Sequence, residues 1–213
     1  ARLLLIEVTY SAGDPETYVL PLRFIAGEDP PDSALALVRT RSTRGDRSGA
    51  LVDASWDPRV ANALLDVAVR KRRIKGDNVE LVGVPARPLR ALRPMLGSLP
   101  SPRALGVEQS NTSYVYGDQV IGKLLRRVEE GESVELEALR FIGSKTSFNH
   151  VPPLAGHIEL DYGRSGSATL VIFQKFVPNQ GDAWTFTVDE VQRYFERVLV
   201  HRDNDVPAPA VTG

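Results

Sequence analysis

The chain has 213 residues, of which 42% are hydrophobic and 25% charged, a composition typical of a globular protein of one or two domains. Its net charge of −1 gives no reason to expect nucleic-acid or membrane partners, and no run approaches the roughly 18 apolar residues of a membrane span. The absence of cysteine excludes disulfides and thiolate metal sites and fits a reducing cytoplasm. The beginning at Ala1 and the end at Gly213 are those expected of a fragment.

The first half of the chain predicts an antiparallel sheet with one helix. Strand-like runs at 2–10, 16–25, 34–40 and 49–53 alternate with polar turns, as in a meander, and a further strand is expected at 78–84. A helix should begin after Asp57, which can cap it, with Pro58 in its first turn, and Gly76 should close it. Its apolar face would consist of Val60, Leu64, Val67 and Ala68. The basic run 70–75 suits a helix C-terminus, where cations are favoured, better than a nucleic-acid site.

The second half predicts a smaller sheet with a helix inserted in it. The proline-rich segment Leu99–Pro102 is expected to be a linker, so we predict a domain boundary near it. Strands are expected from Leu105, at 113–116 and at 119–125, with a turn at Gly117 and Asp118. A helix over 134–142, a hairpin of 156–162 and 168–176, and a helix capped by Thr187 and Glu190 follow. The predicted fold class is therefore α+β.

Two charged residues in the second half require a partner if they are buried. Lys123 lies inside a strand, on the same face as Ile121 and Leu125. Glu137 falls within the apolar stripe of the next helix, formed by Val134, Ala138, Phe141 and Ile142. Because a buried charge is costly unless it is paired, we predict a Lys123–Glu137 ion pair, a device that kinases use. On spacing alone, a solvated lysine and a solvated helical glutamate are the alternative.

Other polar residues carry weaker signals. The loop Gln109, Ser110, Asn111, Thr112 and Ser113 lacks the glycines of a GxGxxG motif, so a plain hairpin loop explains it as well as a phosphate-binding loop does. No acid or nucleophile lies at a spacing from His150 that would indicate catalysis, so a structural role is expected for it. Asp182 is expected to cap a turn rather than to bind a ligand, and Trp184 to anchor its loop by burial.

Four segments in order resemble the maltokinase family: EQSNTSYVYGDQVIGKLLRR, ELEALRF, HVPPLAG and FQKFVPNQGDAW. Members of this family are bacterial enzymes that phosphorylate maltose at its anomeric hydroxyl, with a fold related to aminoglycoside phosphotransferases and eukaryotic-type kinases. The resemblance extends from about Leu105 to Phe195 and is looser before it. It implies an N-terminal cap domain over 1–104, a kinase N-lobe with its hinge over 105–186, and the start of a C-lobe with a frayed tail over 187–213.

The resemblance also implies how ATP would be held. Residues Gln109 to Ser113 would cover the phosphates, Lys123 would contact the α- and β-phosphates, and Glu137 would orient Lys123. Ile121 would lie against the adenine, whose edge would meet backbone groups of Gln174, Phe176 and Val177. Gly122 and Leu125 depart from the family pattern, which has a bulky apolar residue and an aromatic residue there.

The function implied is the ATP-dependent conversion of maltose to maltose 1-phosphate, in cytoplasmic trehalose and glycogen metabolism. The chain contains no catalytic aspartate motif, so the catalytic residues and the Mg²⁺ ligands are expected in a C-lobe beyond it, and the fragment alone is expected to be inactive. Trehalose synthase is the partner that the resemblance suggests, by fusion or in a complex. A kinase for a related sugar such as glucosamine and a non-catalytic kinase-like binding module are the alternatives; neither nucleic acid nor a membrane is expected as a partner.

Overall fold

The computed structural model describes residues 2–27, 34–40, 47–105, 111–179, 181 and 183–200, and it is a mixed fold of antiparallel sheets and few helices, as predicted. Its strands are β1 (Arg2–Val8), β2 (Glu16–Ala26), β3 (Ala34–Thr40), β4 (Arg47–Asp53), β5 (Arg73–Lys75), β6 (Glu80–Pro85), β7 (Arg103–Ala104), β8 (Asn111–Tyr116), β9 (Val120–Leu125), β10 (Arg127–Val128), β11 (Leu154–Asp161) and β12 (Ser167–Lys175). Its α-helices are α1 (Pro58–Val69), α2 (Arg87–Leu92), α3 (Val134–Lys145) and α4 (Ala183–Val200). The chain divides into two compact units, Ala1–Phe176 and Val177–Gly213.

The described residues of the first unit form a five-stranded and a seven-stranded sheet. The predicted meander forms the smaller sheet, in the order β1-β2-β4-β3, and β10 joins it by pairing with β2. The larger sheet has the order β5-β6-β11-β12-β9-β8-β7. Its strands β6 and β11 pair from Gly156↔Pro85 to Asp161↔Glu80. Both sheets therefore combine strands from either side of the boundary predicted at 104/105, which lies within one compact unit rather than between two.

Helix α1 covers one face of the seven-stranded sheet. It begins as predicted: the Asp57 carboxylate accepts the Arg59 backbone N–H at 2.9 Å, and Pro58 is its first residue. The predicted face of Val60, Leu64, Val67 and Ala68 is buried in the main core. That core also contains Tyr114, Tyr116 and Phe173 of the sheet, so the helix and the strands share one hydrophobic interior.

Two buried tyrosines fasten the hairpin of β8 and β9 to the segment that contains α1. The Tyr114 hydroxyl donates to the Ser55 carbonyl at 2.6 Å, and the Tyr116 hydroxyl donates to the Ala61 carbonyl at 2.8 Å. Burial raises the pKa of both phenols, so each stays protonated and able to donate. Each bond satisfies a polar atom that would otherwise be costly in the core.

The second unit contains α4, whose start differs from the prediction. The helix begins at Ala183 rather than at Thr187, and the Thr187 hydroxyl donates within the helix to the Ala183 carbonyl at 2.7 Å. Trp184, predicted to be buried, is 78% exposed. Asp182 and the tail 201–213 lie outside the described residues. In the part of the chain that the structure describes, no helix has the length and apolar character needed to cross a membrane.

Candidate functional site

The strand that carries Lys123 separates two environments. Along β9, Val120, Gly122 and Leu124 are buried, whereas the alternate residues are only partly buried. This period of two confirms the prediction that Ile121, Lys123 and Leu125 share one face. Lys123 is thus on the face of the sheet opposite the tyrosine-lined core.

Register places several of the predicted site residues on the Lys123 face. Ser113 and Ile172 lie directly opposite Lys123 on the two neighbouring strands, Asn111 lies opposite Leu125, and Gln174 lies opposite Ile121. Residues directly opposite each other in an antiparallel pair project to the same face. The predicted residues Asn111, Ser113, Ile121, Lys123 and Gln174 therefore form one surface.

One residue of the predicted loop, Thr112, lies in strand β8 and faces away from Lys123. Thr112 pairs with Leu124, so its side chain lies on the core face, where it is 1% exposed. Its buried hydroxyl oxygen has no hydrogen-bond partner among the described residues. A phosphate on the Lys123 face could reach only the backbone of Thr112. Gln109 and Ser110 lie outside the described residues.

The lysine forms an ion pair, but its partner is Glu135 rather than the predicted Glu137. Lys123 Nζ lies 2.8 Å from Glu135 Oε2, with the two side chains 28% and 37% exposed. Glu137 is exposed. Successive helical residues are 100° apart, so residues 135 and 137 project about 200° apart around α3. The prediction of a strand-to-helix pair is confirmed, and its partner was wrong by two residues.

The error arises from the face that α3 turns toward the sheet. Leu136 and Leu139 are buried against Ile172, whereas Val134 and Phe141 of the predicted stripe are 80% and 59% exposed. The helix is fixed at its start by Ser133, whose hydroxyl accepts the Leu136 N–H at 3.3 Å. The Ser133 N–H in turn donates to the Thr169 hydroxyl on β12 at 2.9 Å. Glu135, two residues after Ser133, is thereby placed over Lys123.

The departure at Gly122 has a packing reason. A Cβ at this position would lie 2.7 and 2.9 Å from two atoms of the Phe173 ring and 3.2 Å from the Tyr116 ring. Both rings are almost completely buried and lie with their centroids 6.2 Å apart. Glycine leaves room for this pair directly beneath the lysine-bearing strand.

Backbone N–H groups of the predicted hinge already form hydrogen bonds within the protein. The Phe176 N–H donates to the Gln119 carbonyl, and the Lys175 N–H donates to the Pro153 carbonyl, each at 2.9 Å. The Phe176 amide, predicted as a donor to adenine, is therefore used within the protein. Val177, the third predicted hinge residue, belongs to the second unit and is 50% exposed.

Sequence reasoning missed a buried histidine on the Lys123 face. His157 pairs in register with Ile172 and is 5% exposed. Burial, together with the positive charge of Arg140, lowers the pKa of His157 to about 4. Its place in the apolar run LAGHIEL was a signal for burial. His150, in contrast, is exposed, and its ring centroid lies 5.4 Å from that of Phe148.

The Lys123 face combines a cation with an apolar contact. Within the described ranges, no three histidine, aspartate or glutamate side chains are close enough to hold a metal ion. Lys123 offers a partly exposed ammonium, oriented by a carboxylate, and Ile121 offers an apolar contact on the same face. Such a surface can bind a phosphate group and a planar base side by side.

Comparison with known proteins gives limited information. No protein-family model matches the chain. One similar solved structure is a glucosamine kinase in complex with glucosamine, ADP and inorganic phosphate, with 20% identity over 81% of this chain and a TM-score of 0.41. Another is a glucosamine kinase in crystal form A, with 16% identity over 91% of this chain and a TM-score of 0.45. The chain spans 40% and 39% of the length of those chains, and the TM-scores are too low for the likeness to carry an argument about fold or function.

Proposed function

We propose that this chain is the cap and the nucleotide-binding lobe of an ATP-dependent kinase that acts on a small sugar. The observation that carries the proposal is the 2.8 Å pair between Lys123 on β9 and Glu135 on α3. A strand lysine held by a carboxylate of the following helix is the device by which protein kinases orient the α- and β-phosphates of ATP. In this proposal Glu135 has the role that the sequence assigned to Glu137.

The roles of the other residues follow from the face they share. Lys123 would neutralise the α- and β-phosphates, and the side chains of Asn111 and Ser113 and the backbone of Thr112, at the start of β8, would donate hydrogen bonds to them. Ile121 would pack against the adenine, next to Gln174 on the neighbouring strand. Bound Mg²⁺ would supply further charge neutralisation, through ligands that we place beyond this chain together with the catalytic aspartate. The residues of this chain bind and orient the nucleotide.

We further propose maltose as the acceptor and maltose 1-phosphate as the product. The support is the resemblance of the four segments quoted above to the maltokinase family. The cytoplasm and an association with trehalose synthase belong to the same proposal. Glucosamine, as the acceptor of an amino-sugar kinase, and a binding module without catalysis are the competing functions, and the experiments below separate the three.

The nucleotide site can be tested on the 213-residue chain by calorimetric titration with ADP. Glu135→Gln removes the charge that holds Lys123, so we expect about a tenfold loss of affinity, equivalent to about 1.4 kcal/mol. Glu137→Gln is the matched control on the same helix turn and should change affinity less than twofold. Lys123→Ala should abolish measurable binding while circular dichroism shows an unchanged fold. Equal effects of Glu135→Gln and Glu137→Gln would refute the assignment of the pair.

The reaction can be tested on the product of the complete gene. Wild type and Lys123→Ala are incubated with ATP, Mg²⁺ and either maltose, glucose or glucosamine, and sugar phosphate formation is followed. Maltose turnover that collapses in Lys123→Ala supports the proposal. Turnover of glucosamine alone would replace the acceptor and keep the kinase, and no turnover by a folded protein would favour the binding module.

A further inference from the structure

A cleft of about 730 Å³ opens beside the nucleotide face, between the two sheets of the first unit. It lies where β2 approaches the start of β8, the end of β9 and the first residue before α3. Leu125 in its wall follows Lys123 by two residues on one strand, which places the cleft roughly 7 Å from the lysine along β9. The polar residues in its wall are Tyr18, Asn111, Arg126, Arg127, Glu129, Ser133 and Thr169.

The charged groups around this cleft are paired with one another. Arg126 is paired with Asp53 at 3.0 Å, and Arg127 is paired with Glu16 at 2.9 Å and with Glu129 at 2.6 Å. Since these two guanidinium groups face three carboxylates, the cleft has no excess of positive charge to attract an anion. The pairs also hold planar donor and acceptor groups in fixed positions, so little ordering is required when a ligand binds.

The uncharged groups offer donors, acceptors and an apolar surface together. The Ser133 hydroxyl, which accepts the Leu136 N–H, can still donate, and the Asn111 amide has both donor and acceptor atoms. The Tyr18 ring and the Leu125 side chain add apolar surface to the wall. The Tyr18 hydroxyl itself donates to Glu16 at 2.6 Å, so the ring is held in one orientation.

We propose that this cleft is a binding site for a neutral saccharide. A sugar hydroxyl both donates and accepts hydrogen bonds, and a sugar ring also presents C–H groups that pack on aromatic and aliphatic side chains. The mixed wall, whose charged groups are already paired, matches both properties, whereas an anion would need net positive charge. The site shares Asn111 and Leu125 with the Lys123 face but also contains Tyr18, Arg126 and Arg127, and it does not depend on the kinase reaction. It provides the cap strand β2 with a role, because Tyr18 is the wall residue contributed by that strand.

The test is a titration of the 213-residue chain with maltose, followed by calorimetry and by amide chemical shifts in NMR spectra. Tyr18→Ala and Tyr10→Ala form a matched pair, because each hydroxyl donates to Glu16 but only Tyr18 lines the cleft. We expect a dissociation constant below about 1 mM for wild type, at least a tenfold loss in Tyr18→Ala, and less than a twofold change in Tyr10→Ala. Glu129→Ala, at a residue whose side chain is 73% exposed, removes a wall residue without touching the core and should also weaken binding.

Two further titrations make the outcome decisive. Lys123→Ala should bind maltose as wild type does while losing ADP, so failure of one site is distinguishable from failure of the other. Inorganic phosphate should neither bind to the cleft nor displace maltose. Equal losses in Tyr18→Ala and Tyr10→Ala, no shifts around the cleft at saturating maltose, or binding of phosphate in its place would each overturn the proposal.

Discussion

Replacing Gly122 by alanine tests the packing beneath the lysine-bearing strand. The new methyl group would lie 2.7 Å from a Phe173 ring atom, closer than carbon atoms pack, and 3.2 Å from the Tyr116 ring. Neither ring can move away easily, because Phe173 is 0% exposed and Tyr116 is both 1% exposed and bonded to the Ala61 carbonyl. Overpacking of this kind costs about 1–3 kcal/mol. For a unit of this size, a loss of 2 kcal/mol lowers Tm by roughly 4–8 °C.

The assay is thermal and urea unfolding of the 213-residue chain, monitored by circular dichroism. Gly143→Ala is the control: the site is in α3 with no atom within 4 Å of the added methyl, and alanine should stabilise the helix by about 0.5–1 kcal/mol. Combining Gly122→Ala with Phe173→Leu should cost less than the sum of the two single changes, because the smaller side chain makes room. A Gly122→Ala protein as stable as wild type would refute the packing argument.

Three further predictions concern the first unit: two address its stability and one its binding of ADP. The free energy of unfolding should fall as the pH drops from 6.5 toward 4, by up to about 1.4 kcal/mol per pH unit, because the unfolded chain protonates His157 before the folded chain does. Urea titrations at several pH values should show a flatter slope for His157→Gln. Asp57→Ala should lower the free energy of unfolding at pH 7 by about 1 kcal/mol, because it removes the cap of α1. Hydrogen bonds from Arg59 lower the pKa of Asp57 to about 2, so the difference in stability from wild type should vanish as the pH falls from 3.8 toward 2. Thr169→Val removes the acceptor of the Ser133 N–H and should weaken ADP binding in calorimetry, because the start of α3 becomes less fixed. Thr169→Ser keeps the hydroxyl and should bind ADP as wild type does. If Thr169 mattered only for its size, Thr169→Val would bind ADP more tightly than Thr169→Ser.

Local patterns in the sequence were enough to predict the strand face that carries the candidate site. Alternation in VIGKLL depends only on the pleat of a single strand, so Ile121, Lys123 and Leu125 could be assigned to one face without knowing the neighbours. The cap of α1 at Asp57 is likewise a matter of adjacent residues. Both predictions agree with the structure for that reason.

The partner of Lys123 could not be obtained in the same way. Helix α3 has two apolar stripes, one containing Val134 and Phe141 and the other containing Leu136 and Leu139. Periodicity alone does not tell which stripe meets the sheet, because the choice depends on contacts with Ile172, far along the chain. Taking the wrong stripe selected Glu137 in place of Glu135.

The arrangement of the two sheets also lay beyond local reasoning. The strand predicted at 78–84 was assigned to the cap because it precedes the proline-rich segment. In the structure it pairs with β11, about 75 residues further along the chain. Composition does not reveal pairing between segments so far apart, and the linker-like segment Leu99–Pro102 lies within the first compact unit.

The two tyrosine bonds have a consequence for how the first unit unfolds. Tyr116 and Ala61 are 55 residues apart in sequence, and Tyr114 and Ser55 are 59 apart. Bonds of such span can persist only while both segments are folded, so the hairpin of β8 and β9 and helix α1 should open together in one cooperative step. In native-state hydrogen exchange, the amides of the strand that carries Lys123 should therefore have the same protection free energy as those of α1.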